Sequence, residues 1–316
     1  MQLRSLGQTS LKVSPLMLGG NVFGWTADED TSFAILDAFA AAGGNFIDTA
    51  NVYSVWIPGH VGGESEAVLG KWFKRSGKRK DVIVATKVGM QMAPDKKGLA
   101  AAYIESAVEE SLRRLQTDYI DLYFSHTDDA TVPLQETLGA YQKLIAKGKV
   151  RCIGASNYPA ARLQEALQIS SRESFPSYQV LQPHYNLCVR GEYEAQLELV
   201  CTERGLGVVP YFSLASGFLT GKYRSEADLS KSPRGRGAKA YLNDRGFRIL
   251  AALDVVAKRL NATDAQVALA WLMARKSVTA PIASATSVTQ VQELIGAMNL
   301  QLDRNAIEQL NSASAA

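Results

Sequence analysis

The sequence predicts an α/β fold, a closed (β/α)8 barrel of the TIM type, with an N-terminal β-hairpin ahead of it and extra C-terminal helices. Three observations predict it. Eight short apolar runs alternate with helical segments along 316 residues. Parallel strands need crossover connections, so the alternation points to a parallel sheet, and eight units fit a closed barrel. The first run leads into Gly19-Gly20-Asn21-Val22-Phe23-Gly24, which lacks the G-x-G-x-x-G spacing usual after the first strand of an open doubly wound sheet. No Pro-, Gly- or Ser-rich linker divides the chain. A length that suggests two domains at about 150 residues each therefore reads as one barrel domain over 1–316.

The opening stretch, 2–13, with Gly7-Gln8-Thr9-Ser10 as its turn, reads as the hairpin. Strands are predicted at 16–18, 45–47, 82–85, 119–124, 150–153, 178–181, 207–210 and 279–282. Several are β-branched, as suits strands buried on both faces. The first helix, 32–42, opens behind Asp28-Glu29-Asp30-Thr31 and closes at Gly43-Gly44, with acidic residues at the positive end of the dipole and glycine at the C-cap. A helix at 65–74 runs into Lys74, Arg75, Lys78, Arg79 and Lys80, a solvated basic end. The segment 104–115 places apolar residues at 104, 108, 112 and 115 on one helical face. Helices follow at 134–145, 160–169, 193–203, 247–260, 265–273, 290–298 and 305–310. The most loop-like stretch, 230–239, falls after a strand, where a functional loop is expected.

Composition narrows the function. Lys+Arg number 34 and Asp+Glu 31, a net +3, which argues against a nucleic-acid binder and a polybasic membrane protein. An apolar share of 47% and a charged share of 21% are ordinary for a globular chain. Cys152, Cys188 and Cys201 form no C-x-x-C pair, and His60, His126 and His184 form no H-E-x-x-H, so neither a disulfide framework nor a metal site is expected. The start, MQLRSLGQTS, has no signal-peptide core, and no apolar run is long enough to span a bilayer. A cytoplasmic setting is expected.

In a barrel of this kind the strand C-termini face the active site. The second strand ends in Asp48-Thr49-Ala50 with Tyr53 just beyond, the third in Thr86-Lys87, the fourth in Ser125-His126. Asp48 and Lys87 are 39 residues apart, as are Lys87 and His126, so the three fall at corresponding positions on neighbouring strands. Tyrosine titrates near about 10 and needs help to act at neutral pH. A nearby ammonium favours its phenolate, and an aspartate keeps that ammonium charged. A histidine at the same mouth donates to a carbonyl oxygen. Such a set polarises and protonates a carbonyl but supplies no electrons, so it calls for a hydride donor.

These motifs resemble the aldo-keto reductase superfamily along essentially the whole chain. The resemblance rests on Asp48-Thr49-Ala50-Asn51-Val52-Tyr53, Ala85-Thr86-Lys87, Asp118 to His126, Gly154-Ala155-Ser156-Asn157, Gln182-Pro183-His184-Tyr185-Asn186 and Gly217 to Tyr223. It implies an NAD(P)H-dependent oxidoreductase that reduces an aldehyde or ketone. Tyr53 would donate the proton, Lys87 would lower the Tyr53 pKa, Asp48 would partner Lys87, and His126 would orient the carbonyl. It places Ser156, Asn157 and Gln182 at the nicotinamide carboxamide, beside Asp48, and Tyr211 against the nicotinamide ring. Gly20, Asn21, Phe212, Ser213, Leu214, Gly217, Leu219, Gly221 and Lys222 would line the cofactor, and Ser284, Thr286, Gln290 and Glu293 its adenosine end.

The sequence departs from the family pattern there. Ser284 and Gln290 stand at positions often basic, and Leu294 where Asn is usual. Lys222, Arg234, Arg236 and Lys239 are the alternative source of phosphate contacts, and NADPH is expected over NADH. Trp25, Tyr53, Trp56, His126 and Thr127 are the expected substrate wall for a small carbonyl compound. Asp128 either contacts substrate hydroxyls, as a sugar-like molecule would offer, or caps the next helix. A monomer is expected. The other reading is a nicotinamide-binding regulatory subunit without significant turnover, like the channel-associated relatives of the family.

Overall fold

The computed structural model describes residues 2–315. Strands β1 (Arg4–Ser5) and β2 (Lys12–Val13) pair antiparallel as the hairpin. Eight parallel strands follow: β3 (Met17–Gly19), β4 (Phe46–Asp48), β5 (Ile83–Val88), β6 (Ile120–Ser125), β7 (Val150–Ser156), β8 (Val180–Gln182), β9 (Gly207–Val208) and β10 (Ile282–Ala283). They pair in chain order from β3 to β9, and β10 returns to lie beside β3. The ring also meets at its other seam. Thr279 N–H donates to the Val208 carbonyl at 2.8 Å and Ile282 N–H to that of Pro210 at 2.9 Å. The expected (β/α)8 barrel is the fold observed.

The crossover helices are α1 (Glu29–Ala41), α2 (Glu64–Ser76), α3 (Ala101–Leu115), α4 (Leu134–Ala146), α5 (Ala160–Glu173), α6 (Glu198–Arg204), α7 (Asp244–Leu260) and α8 (Asp264–Ala274), and α9 (Val288–Ala297) and α10 (Arg304–Ser314) follow the last strand. Their ends follow the expected chemistry. Asp28 caps α1 by accepting from Thr31 N–H at 2.9 Å, and Gly43 at φ 83° lets the chain leave it. Thr263 and Gln266 form a reciprocal capping box on α8. The segment predicted as a helix at 193–203 begins instead as a π-helical turn, Tyr193–Leu197, before α6. The loop at 230–239 is shaped by two short 3-10 turns, Glu226–Lys231 and Gly235–Tyr241. Among the described residues, no helix is long and apolar enough to cross a membrane.

Two cores result. One lies between the sheet and the helices. The other fills the barrel, where Met17, Phe46, Ala85, Leu122, Phe124 and Val180 meet, and the hairpin closes its lower end with Leu6, Leu11 and Val13. Side chains on a strand alternate between the two faces. The inward positions of the middle strands are therefore Phe46 and Asp48, Ala85 and Lys87, Phe124 and His126, Gly154 and Ser156, Val180 and Gln182. In each pair an apolar residue or glycine fills the barrel and a polar residue follows one step higher. The strands predicted at 45–47, 119–124, 150–153 and 178–181 stop too early for this reason: β4, β6, β7 and β8 end in the polar Asp48, Ser125, Ser156 and Gln182, which an apolar pattern cannot see.

Gly154 shows how tight the filling is. A Cβ there would lie 2.4 Å from the Phe124 ring and 3.0 Å from the Val180 carbonyl oxygen. Gly154→Ala is expected to cost about 1–3 kcal/mol, the usual range for overpacking a filled core. A chemical denaturation midpoint equal to that of the parent would contradict this.

Candidate active site

The polar layer above the barrel core is organised by one ammonium group. Lys87 is fully buried and donates to three acceptors: Asp48 Oδ1 at 2.6 Å, Tyr53 Oη at 2.8 Å and the Thr49 carbonyl at 2.7 Å. An ammonium has three protons, so its donor capacity is filled. The Tyr53 hydroxyl in turn donates to Asp48 Oδ2 at 2.8 Å, closing a triangle. Asp48 Oδ1 also accepts from Gln182 Nε2 at 3.0 Å, which reaches across from β8. The Lys87 Nζ lies 4.6 Å from the centre of the Tyr53 ring, within cation–π range.

Tyr53 comes from the loop after β4, and its ring is 6.0 Å from that of His126. Burial, then the Asp48 carboxylate, raises its pKa well above the ordinary value of 10.0. The net direction in the resting site is upward, and the phenol stays protonated. Burial also lowers the Lys87 pKa, with Asp48 and then Glu66 opposing it. His126 is held well below 6.5 by burial, then by the Lys87 charge. Its Nδ1 is buried without a hydrogen-bond partner among the described residues.

Beside this triangle stands a second polar chain. Ser156 Oγ donates to the Gln182 carbonyl at 2.9 Å. Asn157, at a left-handed φ of 54°, donates through Nδ2 to the His126 carbonyl at 2.8 Å and accepts at Oδ1 from the Tyr211 hydroxyl at 2.7 Å. His184 stacks on Tyr211 with ring centres 5.2 Å apart and planes 19° from parallel. Beyond Tyr211 the backbone turns left-handed at Phe212, Ala215, Ser216, Gly217 and Gly221. A Cβ on Gly217 would come within 3.3 Å of Lys222 Nζ, so glycine keeps that cradle open. Gly20 lies against the Asp48 carbonyl, where a Cβ would come to 2.7 Å.

The remaining expected residues divide. Ser284 donates to Asn21 Oδ1, joining the ends of β10 and β3. Ser213 is buried and donates to the Pro210 carbonyl at 3.0 Å, and Leu214 is half-buried. Leu219 is fully buried in the outer core, so its side chain does not line the loop surface. Gln290 turns back to accept from Thr286 N–H at 2.9 Å and Oγ1 at 3.1 Å. The Glu293 carbonyl accepts from Gln266 Nε2. Arg236 is exposed, and Lys239 pairs with Glu226 at 3.2 Å. Arg234 is half-buried, its pKa lowered by burial, with no acidic partner among the described residues.

Trp25 and Trp56 meet edge-on with centres 5.6 Å apart, and Trp56 lies 6.3 Å from Tyr53. Trp56 is 47% exposed, and Thr127 is half-buried. Asp128 pairs with Arg162 Nε at 3.1 Å, so its carboxylate is already engaged. Asp129 likewise accepts from Leu99 and Thr131.

Sequence reading gave no role to Ser65, Glu66 and Arg114, and named Thr86 only as a residue of its motif. Ser65 and Thr49 share a hydrogen bond at 2.7 Å, Thr86 Oγ1 donates to Glu66 Oε1 at 2.5 Å, and Arg114 Nε donates to Glu66 Oε2 at 2.7 Å. A signal was present. Glu66, Leu69, Gly70 and Phe73 fall on one helical stripe, and a carboxylate on an apolar stripe needs a buried partner.

With the geometry described, the chain can be set among known proteins. The family model for the aldo/keto reductase family matches residues 15–315. An uncharacterized oxidoreductase of Bacillus subtilis is 36% identical, covering 98% of this chain and 95% of its own. A probable voltage-gated potassium channel subunit beta of Arabidopsis thaliana is 33% identical over 95% and 92%. The norsolorinic acid reductase of Aspergillus flavus is 30% identical over 96% and 78%. The chain belongs to the aldo/keto reductase family.

The His126 shift has a measurable consequence. A histidine whose folded pKa is depressed contributes no penalty above 6.5, its ordinary value. Below that value the unfolded chain gains a proton that the folded chain refuses, and stability falls until the folded pKa is reached. NMR titration is expected to show His126 neutral as the pH drops through 6.5. His126→Gln should lose less stability than the parent over that window. An imidazole titrating at its ordinary value would contradict the assignment.

Proposed function

We propose that the chain reduces an aldehyde or ketone to the alcohol using NADPH, with Tyr53 as proton donor. The observation that carries this reading is the closed triangle of Lys87, Tyr53 and Asp48. Reduced nicotinamide, when bound, supplies the hydride. Neutral His126 hydrogen-bonds the substrate carbonyl oxygen and fixes it within reach of Tyr53. The Tyr53 proton, kept on the phenol by burial and by Asp48, turns from the carboxylate to the oxygen as that oxygen gains charge. The phenolate left behind is received by the Lys87 ammonium, already 2.8 Å away. Asp48 keeps Lys87 charged and aimed, against the desolvation that opposes its charge. No group has to be recruited during the step.

The residues also fit the cofactor. Ser156, Asn157 and Gln182 offer the donors and acceptors a carboxamide needs. Tyr211, backed on one face by His184, offers a stacking platform. The left-handed backbone from Phe212 to Gly221 lets a pyrophosphate approach closely. Lys222 and the uncompensated Arg234, with Arg236 nearby, favour the additional phosphate of NADPH. Ser284, Thr286, Gln290 and Glu293 would bound the adenosine end. Trp25, Trp56 and Thr127 wall the substrate. With Asp128 and Asp129 engaged elsewhere, the wall favours an apolar flank on the carbonyl compound over a sugar-like one. The weak net charge of +3 accords with the absence of nucleic-acid and membrane partners, and the reading includes a monomer in the cytoplasm.

The second reading, a nicotinamide-binding regulatory subunit, is favoured by the likeness to the plant β subunit. Cofactor binding without turnover across sugar-derived, aromatic and aliphatic carbonyls would select it.

Two variants test the leading reading. Tyr53→Phe is expected to lower kcat by about 10²–10⁴-fold, the usual worth of a positioned acid, while NADPH still binds; retained turnover would overturn the mechanism. Arg234→Ala removes a charge-assisted contact worth about 1.5–3 kcal/mol. It should weaken NADPH binding by about ten- to a hundredfold and leave NADH binding nearly unchanged. Tighter binding of NADH than NADPH by the parent would overturn the cofactor choice.

A further inference from the structure

We propose that Ser65 and Glu66, side by side at the start of α2, act as a positioning pair that fixes Lys87 from behind the barrel wall. The proposal rests on the reading of Lys87, Tyr53 and Asp48 as the proton-delivering set. Both residues are fully buried. Ser65 donates to the Gly20 carbonyl at 2.7 Å and shares a 2.7 Å hydrogen bond with the Thr49 hydroxyl. The Thr49 carbonyl is one of the three acceptors of the Lys87 ammonium. Glu66 holds the neighbouring residue: the Thr86 hydroxyl, on the outward face of β5, donates to Glu66 Oε1. One helical turn thus ties together the ends of β3, β4 and β5. It grips Lys87 both through its own strand and through the carbonyl that accepts a hydrogen bond from its ammonium.

Glu66 brings charge as well as a tether. Its second oxygen is held by Arg114 at 2.7 Å, and Arg114 also reaches Glu110 at 3.4 Å. Gly63 is what lets the arginine in, since a Cβ there would lie 2.4 Å from its side chain. A tether to Thr86 needs only an acceptor, which a hydroxyl or an amide would supply. A buried carboxylate is costly unless it is paired, and Arg114 pairs Glu66 through one oxygen while the other stays on Thr86, next to Lys87 in β5. From there its charge favours the ammonium form of Lys87, after Asp48.

The test separates charge from tether. Glu66→Gln keeps an oxygen for Thr86 and removes the charge. It is expected to move the alkaline limb of the kcat–pH profile downward by about half a pH unit or more, with KM nearly unchanged. The 13Cε resonance of Lys87, followed by NMR in the absence of substrate, should titrate at correspondingly lower pH. Since loss of the Arg114 pair can unfold the protein, Ser65→Ala is the second variant. It leaves Glu66 and Arg114 intact and should lower kcat several-fold without raising KM. Lost thermal stability with an unmoved pH limb, an unmoved Lys87 titration and, in Ser65→Ala, unchanged kcat would overturn the proposal. A parent without turnover would instead remove the reductase reading, while the NMR titration still decides whether Glu66 supports the Lys87 charge.

Discussion

The site depends on keeping an ammonium group charged where no water reaches it. Desolvation works against the charge, and the compensation must come from acceptors built in advance. Lys87 has three, one per proton, and they come from different sources: a carboxylate, a phenol and a backbone carbonyl. Each would be a weak reason for burial alone. Together they fix the phenol oxygen, the carboxylate and the end of β4 relative to one another.

That arrangement follows from the barrel. Strand parity places Asp48, Lys87, His126, Ser156 and Gln182 on the same inward side, one step above the residues that fill the interior. The hairpin closes the opposite end with Leu6, Leu11 and Val13. Inward polar side chains are thereby gathered at the upper mouth, in surroundings dry enough to raise the Tyr53 pKa and lower that of His126.

Much of this was legible in the sequence, for a physical reason. The alternation of short apolar runs with amphipathic helices is a statement about crossovers and survives any error in element ends. The equal spacing from Asp48 to Lys87 to His126 reports the repeat of one strand and one helix, so matched positions could be read before any coordinates. What was illegible depended on which hydrogen bonds are already taken. Asp128 looks available in a sequence, yet Arg162 holds it. Leu219 belongs to a loop motif but sinks into the core. The upward Tyr53 shift comes first from burial and then from Asp48, whose second oxygen accepts from the phenol, and no spacing encodes either. The partner that takes up the Glu66 charge, Arg114, sits on another helix, and no local pattern names it.

The parts of the mouth differ in what carries them. Asp48 and Lys87 are anchored in β4 and β5, and His126 directly follows β6, whereas Trp25 and Trp56 hang on loops that touch each other edge-on and leave Trp56 half in solvent. Trp25 stands on a loop of its own, whereas Trp56 shares the loop after β4 with Tyr53 and lies 6.3 Å from its ring. On the proposed reading, exchanges around Trp25 would retune which molecules enter at little cost to the chemistry, while those around Trp56 would reach the proton donor as well.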